Sequence, residues 1–414
     1  MTEASPLILV LNSGSSSLKF AVHETGTRRA KLSGLAERLG QAEPAITFKH
    51  GNVKDTRPLA IATHAAAFDA LLGVLEELGY LDALTAVGHR AVHGGEHFAE
   101  SMLITSEVIA GIEACNNLAP LHNPPALLGI RVALERLPNV PHVAVLDTAF
   151  HQTMPESAYL YALPTAMYRD HGVRRYGFHG TSHRFVAREA VRMLDLHLDD
   201  HGLVIAHLGN GCSATAVQDG RSVDTTMGMT PLEGLVMGTR PGDVDPGVLI
   251  YLMRHAGLGV NEIDAMLNRQ SGLLGLSELS NDCRELQAAE ARGHVGARRA
   301  LAVFVHRLAR HIGGLAMSLR RLDAVVFTGG IGENSAYLRE MTLLRLGPLG
   351  LALDPAANRH AVGGVGGIIS KGPGPVAAVI NTDEEWMIAC DTAALTGTDR
   401  APAQPARPRA GEGS

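Results

Sequence analysis

The chain is poor in the features that mark several large protein classes. Its four cysteines, Cys115, Cys212, Cys283 and Cys390, lie far apart in 414 residues with no Cys-x-x-Cys pair. That excludes a disulfide framework and predicts reduced thiols in a cytoplasmic setting. Lys and Arg (36) are outnumbered by Asp and Glu (42), a net charge of −6, so there is no basic footprint for nucleic acid. No apolar run approaches the ~20 residues of a membrane span. The first apolar run, Leu7–Leu11, is short and has no basic stretch before it, which argues against a signal peptide. G-x-x-x-x-G-K-[ST] does not occur either, so the P-loop is absent.

What the chain does have is apolar content (46%) sufficient for a large core, 46 glycines and 20 histidines. The length suggests two or three domains at ~100–200 residues each. His89, His93 and His97 share i, i+4 spacing, but Gly88, Gly94 and Gly95 around them make a poor helix, which argues against a metal site there.

One design occurs twice. Leu203–His207 reads as a buried strand, followed by the polar turn 208–213 (LGNGCS) and a returning run, Ala214–Val217. Leu7–Leu11, the turn 12–17 (NSGSSS) and Leu18–Val22 repeat it near the start. Glycine allows close backbone approach to a ligand, and backbone N–H groups and hydroxyls in such turns suit phosphate oxygens. Either unit alone reads equally as an ordinary β-hairpin. Two in one chain predict a duplicated α/β architecture with a nucleotide between the halves.

The remaining elements follow from periodicity. Phe68–Leu78, Thr105–Leu118, Gly247–Met266 and Leu301–Leu319 read as helices. Asn123, ahead of Pro124, reads as an N-cap. Thr181 or Ser182 reads as the cap of a helix through Leu194, and Thr382 with Glu385 as a capping box for a final helix to about Leu395. Val143–Leu146, Ala324–Phe327 and Val376–Ile380 read as strands, the second leading into the Gly-Gly-x-Gly turn of 328–335. The tail from Thr396, rich in Pro, Ala, Arg and Gly, is expected to be disordered.

A phosphoryl-transfer site needs cations, oxygen ligands for a divalent metal and an acceptor pocket. Lys19, Arg90 and Arg240 supply cations on turns or strand ends; Asn12, Asp147 and Glu384 supply oxygens. Taken singly, the arginines read equally as surface ion pairs, Asp147 as a turn cap and Glu384 as a helix-dipole residue.

Nine segments taken together resemble the acetate/propionate/butyrate kinase family of the actin-like, sugar-kinase-like ATPases: 11–20 (LNSGSSSLKF), 88–96 (GHRAVHGGE), 118–124 (LAPLHNP), 147–151 (DTAFH), 174–183 (RRYGFHGTSH), 206–213 (AHLGNGCS), 224–247 (DTTMGMTPLEGLVMGTRPGDVDPG), 327–335 (FTGGIGENS) and 381–392 (NTDEEWMIACDT). The resemblance implies an α/β fold, the duplicated two-lobed actin-like (ribonuclease H-like) ATPase fold with an interlobe nucleotide cleft. It implies reversible transfer of the ATP γ-phosphoryl to acetate, giving acetyl phosphate and ADP. Mg²⁺ is the implied metal, with Mn²⁺ as a substitute, and the implied assembly is a homodimer through the second lobe.

Carried over by position, the resemblance makes Asn12 and Glu384 metal-site residues. It makes Lys19, His207, Leu208, Gly209, Asn210 and Gly211 phosphate contacts. Asp282, Cys283 and Arg284, with Gly330, Ile331, Gly332, Glu333 and Asn334, become the adenosine side. Arg90 and His122 are placed on the carboxylate substrate, and Asp147, His179 and Arg240 in catalysis. Because acetate is already ionised, Asp147 is read as orienting Arg90, water or metal rather than as a general base. Val92, Leu121 and Pro231 are the expected pocket lining. Pro125, Pro241, Cys212 and Cys283 depart from the family pattern without removing a charge.

The expected lobes are 1–148 with 386–399, and 149–385, with 400–414 as a disordered tail and hinges near 148–150 and 383–385. Propionate or butyrate as the acid is the near alternative. An ATP switch of actin or heat-shock type is the distant one, and a sugar kinase would need a base for its hydroxyl.

Overall fold

The computed structural model describes residues 5–398; the 400–414 tail lies outside that range. Two mixed sheets carry the fold. The first contains β1 (Leu7–Ser13), β2 (Ser17–Glu24), β3 (Ala30–Glu37), β4 (Ala45–His50), β5 (Val53–Pro58), β6 (Leu84–Ala91), β7 (Met102–Leu103) and β8 (His142–Leu146), in the order β5-β4-β3-β2-β1-β6-β8-β7. The second contains β9 (Gly202–Leu208), β10 (Cys212–Gln218), β11 (Arg221–Thr225), β12 (Ala324–Thr328), β13 (Gly367–Ile368) and β14 (Val376–Val379), in the order β11-β10-β9-β12-β14-β13.

The shared plan is a three-strand antiparallel meander whose first strand is followed, on its other side, by two parallel strands. In the first sheet these are β3-β2-β1 then β6 and β8; in the second, β11-β10-β9 then β12 and β14. This is the duplicated α/β architecture expected of the actin-like ATPases. Parallel pairs need crossover helices, which cover both faces. That accounts for the unbroken apolar runs in β1 (LILVL) and β12, whose residues Leu7–Leu11 and Ala324–Phe327 are all buried.

The helix Asn123–Arg136 packs against β1 and β6, and His64–Glu77 packs against that helix and β2, closing a core around Phe20, Phe68 and Leu71. The helix Val295–Ala316 lies on the second sheet, its Phe304, Leu308 and Ile312 meeting Val204 and Phe327. The C-terminal helix Glu384–Thr396 returns to the first sheet, against β6, β1 and β8.

Two local expectations fail where tertiary partners outrank capping propensity. Asn123 is the first residue of its helix, not its cap, and is fully buried. Its amide accepts from His93 N (3.0 Å) and donates to the His93 and Ile112 carbonyls. Thr382 does not cap the last helix; Asp383 does, accepting from Trp386 N, while the Thr382 hydroxyl meets Ser182. Residues 329–334 form a helical turn entered directly from β12. In addition, the predicted helix 247–266 is interrupted between Pro246–His255 and Val260–Ala265, at Gly257 and Gly259.

Candidate active site

Asn12, Arg90 and Asp147 lie at the carboxyl ends of β1, β6 and β8, three neighbouring strands in parallel register (Leu11 beside His89, Arg90 beside Val145). The carboxyl edge of a parallel sheet is where α/β folds place ligands. Arg90 grips Asp147 with two bonds, Nε to Oδ1 (3.1 Å) and Nη2 to Oδ2 (2.6 Å), and reaches Asn12 Oδ1 from Nη1 (3.4 Å). Glu384, at the start of the C-terminal helix, brings Oε2 to 3.8 Å from Arg90 Nε. One guanidinium therefore faces two carboxylates.

Burial acts to lower the Arg90 pKa, and the Asp147 and Glu384 carboxylates more than reverse it. Glu384 is pushed above the usual carboxylate range by burial and by the neighbouring carboxylates Asp147 and Glu385, against the pull of Arg90. This cluster holds more negative charge than its one cation offsets. Lys19 on β2 is not free to add to it, since its ammonium is paired with Glu385.

His179 enters from the other half. It adopts left-handed backbone (φ 58°, ψ 23°) immediately before the helix Gly180–Met193, a conformation few non-glycine residues take. Gly180 explains how it is held there. Its N–H donates to the Asp147 carbonyl (2.9 Å), and a Cβ on it would stand 2.2 Å from that oxygen. Helix start and strand end therefore meet at van der Waals limit, with His179 beside Asp147. Thr181 and Ser182 lie inside the first turn rather than capping it.

The His179 ring stacks on His207 at the end of β9, centroids 4.4 Å apart. Burial, and after it the neighbouring His207, His183, Arg90 and Arg240, holds His179 far below the ordinary histidine range. Burial likewise brings His207 down to about 4. Both rings are neutral near pH 7. A Cβ placed on Gly211 would lie 3.1 Å from Arg240 Nη2 and 3.4 Å from His179 Nε2, so both groups converge on the β9–β10 turn. Arg240 donates Nη1 to the Pro231 carbonyl (2.6 Å), and burial lowers its pKa. His122 is lowered by burial and by Arg90, with Asp147 and Arg240 as its other charged neighbours.

The turn itself is tethered: Gly209 N donates to Gly211 O, Gly238 N to Asn210 O, and Asn281 Nδ2 to Asn210 Oδ1. From it opens a cavity of about 890 Å³ lined by Gly209, Asn210, Asn281–Arg284, Gln287, Gly330, Ile331, Asn334 and Ser335. That size suits a nucleoside. Asp282, Cys283, Arg284, Gly330, Ile331 and Asn334 thus line one space. Gly332 is buried near Leu208, and the Glu333 carboxylate is engaged by Gly329 N and Thr382 N. Leu208 is also buried. Burial raises the Cys212 and Cys283 thiols to about 12, so neither is a nucleophile at neutral pH.

Of the expected acid-pocket residues, Val92 is buried against the second sheet's core, Pro231 holds Arg240, and Leu121 is 55% exposed. His89 is bonded to His142 and His93 packs edge-on to Tyr176; among the described residues no group of three His, Cys, Asp or Glu is arranged to hold a metal. Ser182, Ser213, His183 and Thr382 surround the two stacked histidines. Only the i, i+4 spacing of His179 and His183 hinted at this shell.

The sequence matches the acetokinase family over residues 7–390. It is 56% identical over 390 residues to an acetate kinase of Chromobacterium violaceum, covering 94% of this chain and 98% of the relative. To an acetate kinase of Deinococcus radiodurans it is 57% identical over 389 residues, with the same coverage. Among solved structures, a propionate kinase from Francisella tularensis superposes with a TM-score of 0.90 at 43% identity, covering 94% of this chain and all of that one. An acetate kinase from Porphyromonas gingivalis does so with 0.90 at 42% and the same coverage. With the family match spanning almost the whole chain, this protein belongs to the acetokinase family.

Proposed function

We propose that the chain transfers the γ-phosphoryl of ATP to acetate, reversibly and directly in line, giving acetyl phosphate and ADP. One observation carries the reading. Arg90, Asp147 and Asn12 at the edge of the first sheet face His179, Arg240 and the β9–β10 turn of the second, at the mouth of a nucleoside-sized cavity.

Acetate arrives ionised, so its attack needs no proton removed. The two-bond grip of Asp147 on Arg90 gives the carboxylate an orienting role. It fixes the guanidinium plane and leaves Nη1, which otherwise makes only the long 3.4 Å bond to Asn12, to meet the acid. Arg240, anchored by Pro231, presents Nη2 beside His179 Nε2 where the phosphoryl would pass. Catalysis then rests on positioning and charge neutralisation.

Asn12 and Glu384 are the residues that would hold Mg²⁺, with Asp147 beside them. Their hard oxygen donors suit it, and Asp147 and Glu384 both face the one guanidinium of Arg90. When bound, Mg²⁺ neutralises phosphoryl oxygens.

Acetate is the preferred acid on the identity to curated relatives named for it. The lobes are 1–148 with 386–399, and 149–385, hinged at 148–150 and 383–385, consistent with the sheet to which each strand belongs. A homodimer through the second lobe is supported by the helix Pro246–His255. It buries no residue and exposes Val248, Ile250, Tyr251 and Met253. Cytoplasmic residence fits four unpaired cysteines and the lack, among the described residues, of a helix long and apolar enough to cross a membrane.

Incubating the protein with ATP, Mg²⁺, hydroxylamine and each acid tests the reading. Hydroxamate should form with acetate, at a kcat/KM above that for propionate and butyrate. ATP turnover without hydroxamate would refute it.

A further inference from the structure

Ser213, on β10, is fully buried and its hydroxyl faces two ring nitrogens: His179 Nδ1 at 3.0 Å and His183 Nε2 at 2.7 Å. His183 is itself fully buried, and its Nδ1 finds no partner among the described residues. Three groups therefore share a chain of two hydrogen bonds with few protons to arrange. A serine hydroxyl donates one, and each neutral imidazole donates from one nitrogen and accepts at the other.

An arrangement in which Ser213 accepts from both rings leaves the serine's own O–H without a partner in the interior, since its oxygen meets only these two nitrogens among the described residues, and is disfavoured. Two arrangements remain that satisfy both bonds with the hydroxyl donating one. In the first, His183 carries its proton on Nδ1. That N–H is then orphaned in the interior, Nε2 accepts from Ser213, and the serine must accept from His179 Nδ1–H. His179 would then turn a lone pair toward the cleft at Nε2. In the second, His183 carries its proton on Nε2 and donates to Ser213, and Ser213 donates to His179 Nδ1. His179 then carries its proton on Nε2. Here the orphaned atom is a lone pair, and buried acceptors go unpaired more often than buried N–H groups. The second arrangement is therefore favoured. Burial, which keeps both rings neutral, makes the choice a matter of tautomer rather than of charge.

We infer that His183 and Ser213 are positioning residues that lock His179 as its Nε2–H tautomer, a neutral hydrogen-bond donor aimed beside Arg240 at the transferring phosphoryl. This rests on the reading of His179 as a phosphoryl contact. The geometry gives it a purpose: Nε2 and Arg240 Nη2 both stand at Gly211. A lone pair there would oppose the phosphoryl oxygens, whereas an N–H stabilises them as charge spreads onto them.

Imidazole ¹⁵N spectra of the full-length, ¹⁵N-histidine-labelled protein test this, with His179 assigned by the signal lost in His179→Ala. The wild-type spectrum decides the tautomer without any variant. Protonation at Nε2 is expected, and protonation at Nδ1 overturns the inference while leaving the cleft's assignment standing. Ser213→Ala should release the tautomer and lower kcat by about tenfold or more with the KM for ATP little changed. His183→Gln, which keeps a donor near the Nε2 position, should retain both the Nε2–H tautomer of His179 and a near wild-type kcat. Should Ser213→Ala change the tautomer yet leave kcat unaltered, His179 does not donate a hydrogen bond to the phosphoryl, and both the inference and that part of the proposed function fall.

Discussion

Replacing Arg240 with alanine separates binding, chemistry and stability in one variant. The guanidinium donates to the Pro231 carbonyl at 2.6 Å, and its nearest acidic neighbour in electrostatic terms is the Cys212 thiol, which burial keeps protonated. Among the described residues it has no carboxylate partner. A half-buried cation without a counter-charge is a stability liability awaiting a ligand. Its loss removes one hydrogen bond from a charged donor, worth ~1.5–3 kcal/mol, and relieves a desolvation cost of similar size. The net change in folding free energy should be within ~1 kcal/mol of zero. The transition state loses far more, because removing an arginine that stabilises phosphoryl charge costs ~10³–10⁵ in rate, or ~4–7 kcal/mol. Hydroxamate kinetics should show the fall in kcat, calorimetry a nearly unchanged Kd for ATP, and thermal unfolding a Tm close to wild type. A rate loss under tenfold, or a loss of ATP binding in step with the rate, would refute the reasoning.

Asp147→Ala should behave differently, because it strands Arg90: breaking a buried pair costs ~3–5 kcal/mol. Since the Arg90 side chain is 22% exposed, the lower end is expected in urea titration, with kcat/KM for acetate falling as the guanidinium loses its fixed plane. Gly211→Ala places a methyl 3.1 Å from Arg240 Nη2 and 3.4 Å from His179 Nε2 without left-handed backbone to strain. It should lower kcat sharply while Tm holds, and unaltered turnover would remove Gly211 from the phosphoryl path. Acid stability follows from His93, His151 and His207, each lowered by burial to about 4. From pH ~6.5 down toward 4 the unfolded chain takes up protons that the fold refuses, so stability is full above that window and falls within it. Each histidine contributes ~1.4 kcal/mol per pH unit and the three together ~4. Urea midpoints between pH 7 and 5 measure this, and a flat profile would contradict it.

The duplicated hairpins were legible because nothing competes with them. Leu7–Leu11 and Leu203–Ala206 are uniformly apolar and read as interior strands, and both form as expected. The charged groups at strand ends were legible for a related reason, since Asp147 directly follows an apolar run and a polar residue there meets the sheet's open edge. Neighbours remote in the chain decided the rest. Asn123 carries every mark of a cap, yet its amide binds His93, thirty residues away. Thr382 precedes a helix as a cap should, yet its hydroxyl is held by Ser182, 200 residues away. Ser213 sits in an unremarkable strand, and its meaning depends on two histidines 34 and 30 residues distant. Small polar side chains bond at short range to whatever the fold brings near, and local sequence carries little of that information.

The duplication is one of backbone rather than of charge, and under the proposed function the difference gives the two edges separate roles. The first sheet ends in Asn12, Arg90 and Asp147, with Glu384 set against them. The matching edge of the second ends in His207 and Thr328, one on each of two paired strands, followed by glycines and the neutral His179. A symmetric pair of charged edges would hold a polyanion equally at both ends and favour no path between them. Here one edge offers hydrogen-bond donors that follow the phosphates without strong fixed charge, and the other a carboxylate-rich cluster under-supplied with cations. On the proposed function, phosphates held at the second sheet's edge would meet, at the first sheet's edge, a cluster that would hold Mg²⁺, and Arg240, which has no carboxylate partner among the described residues, would find its counter-charge in the phosphoryl.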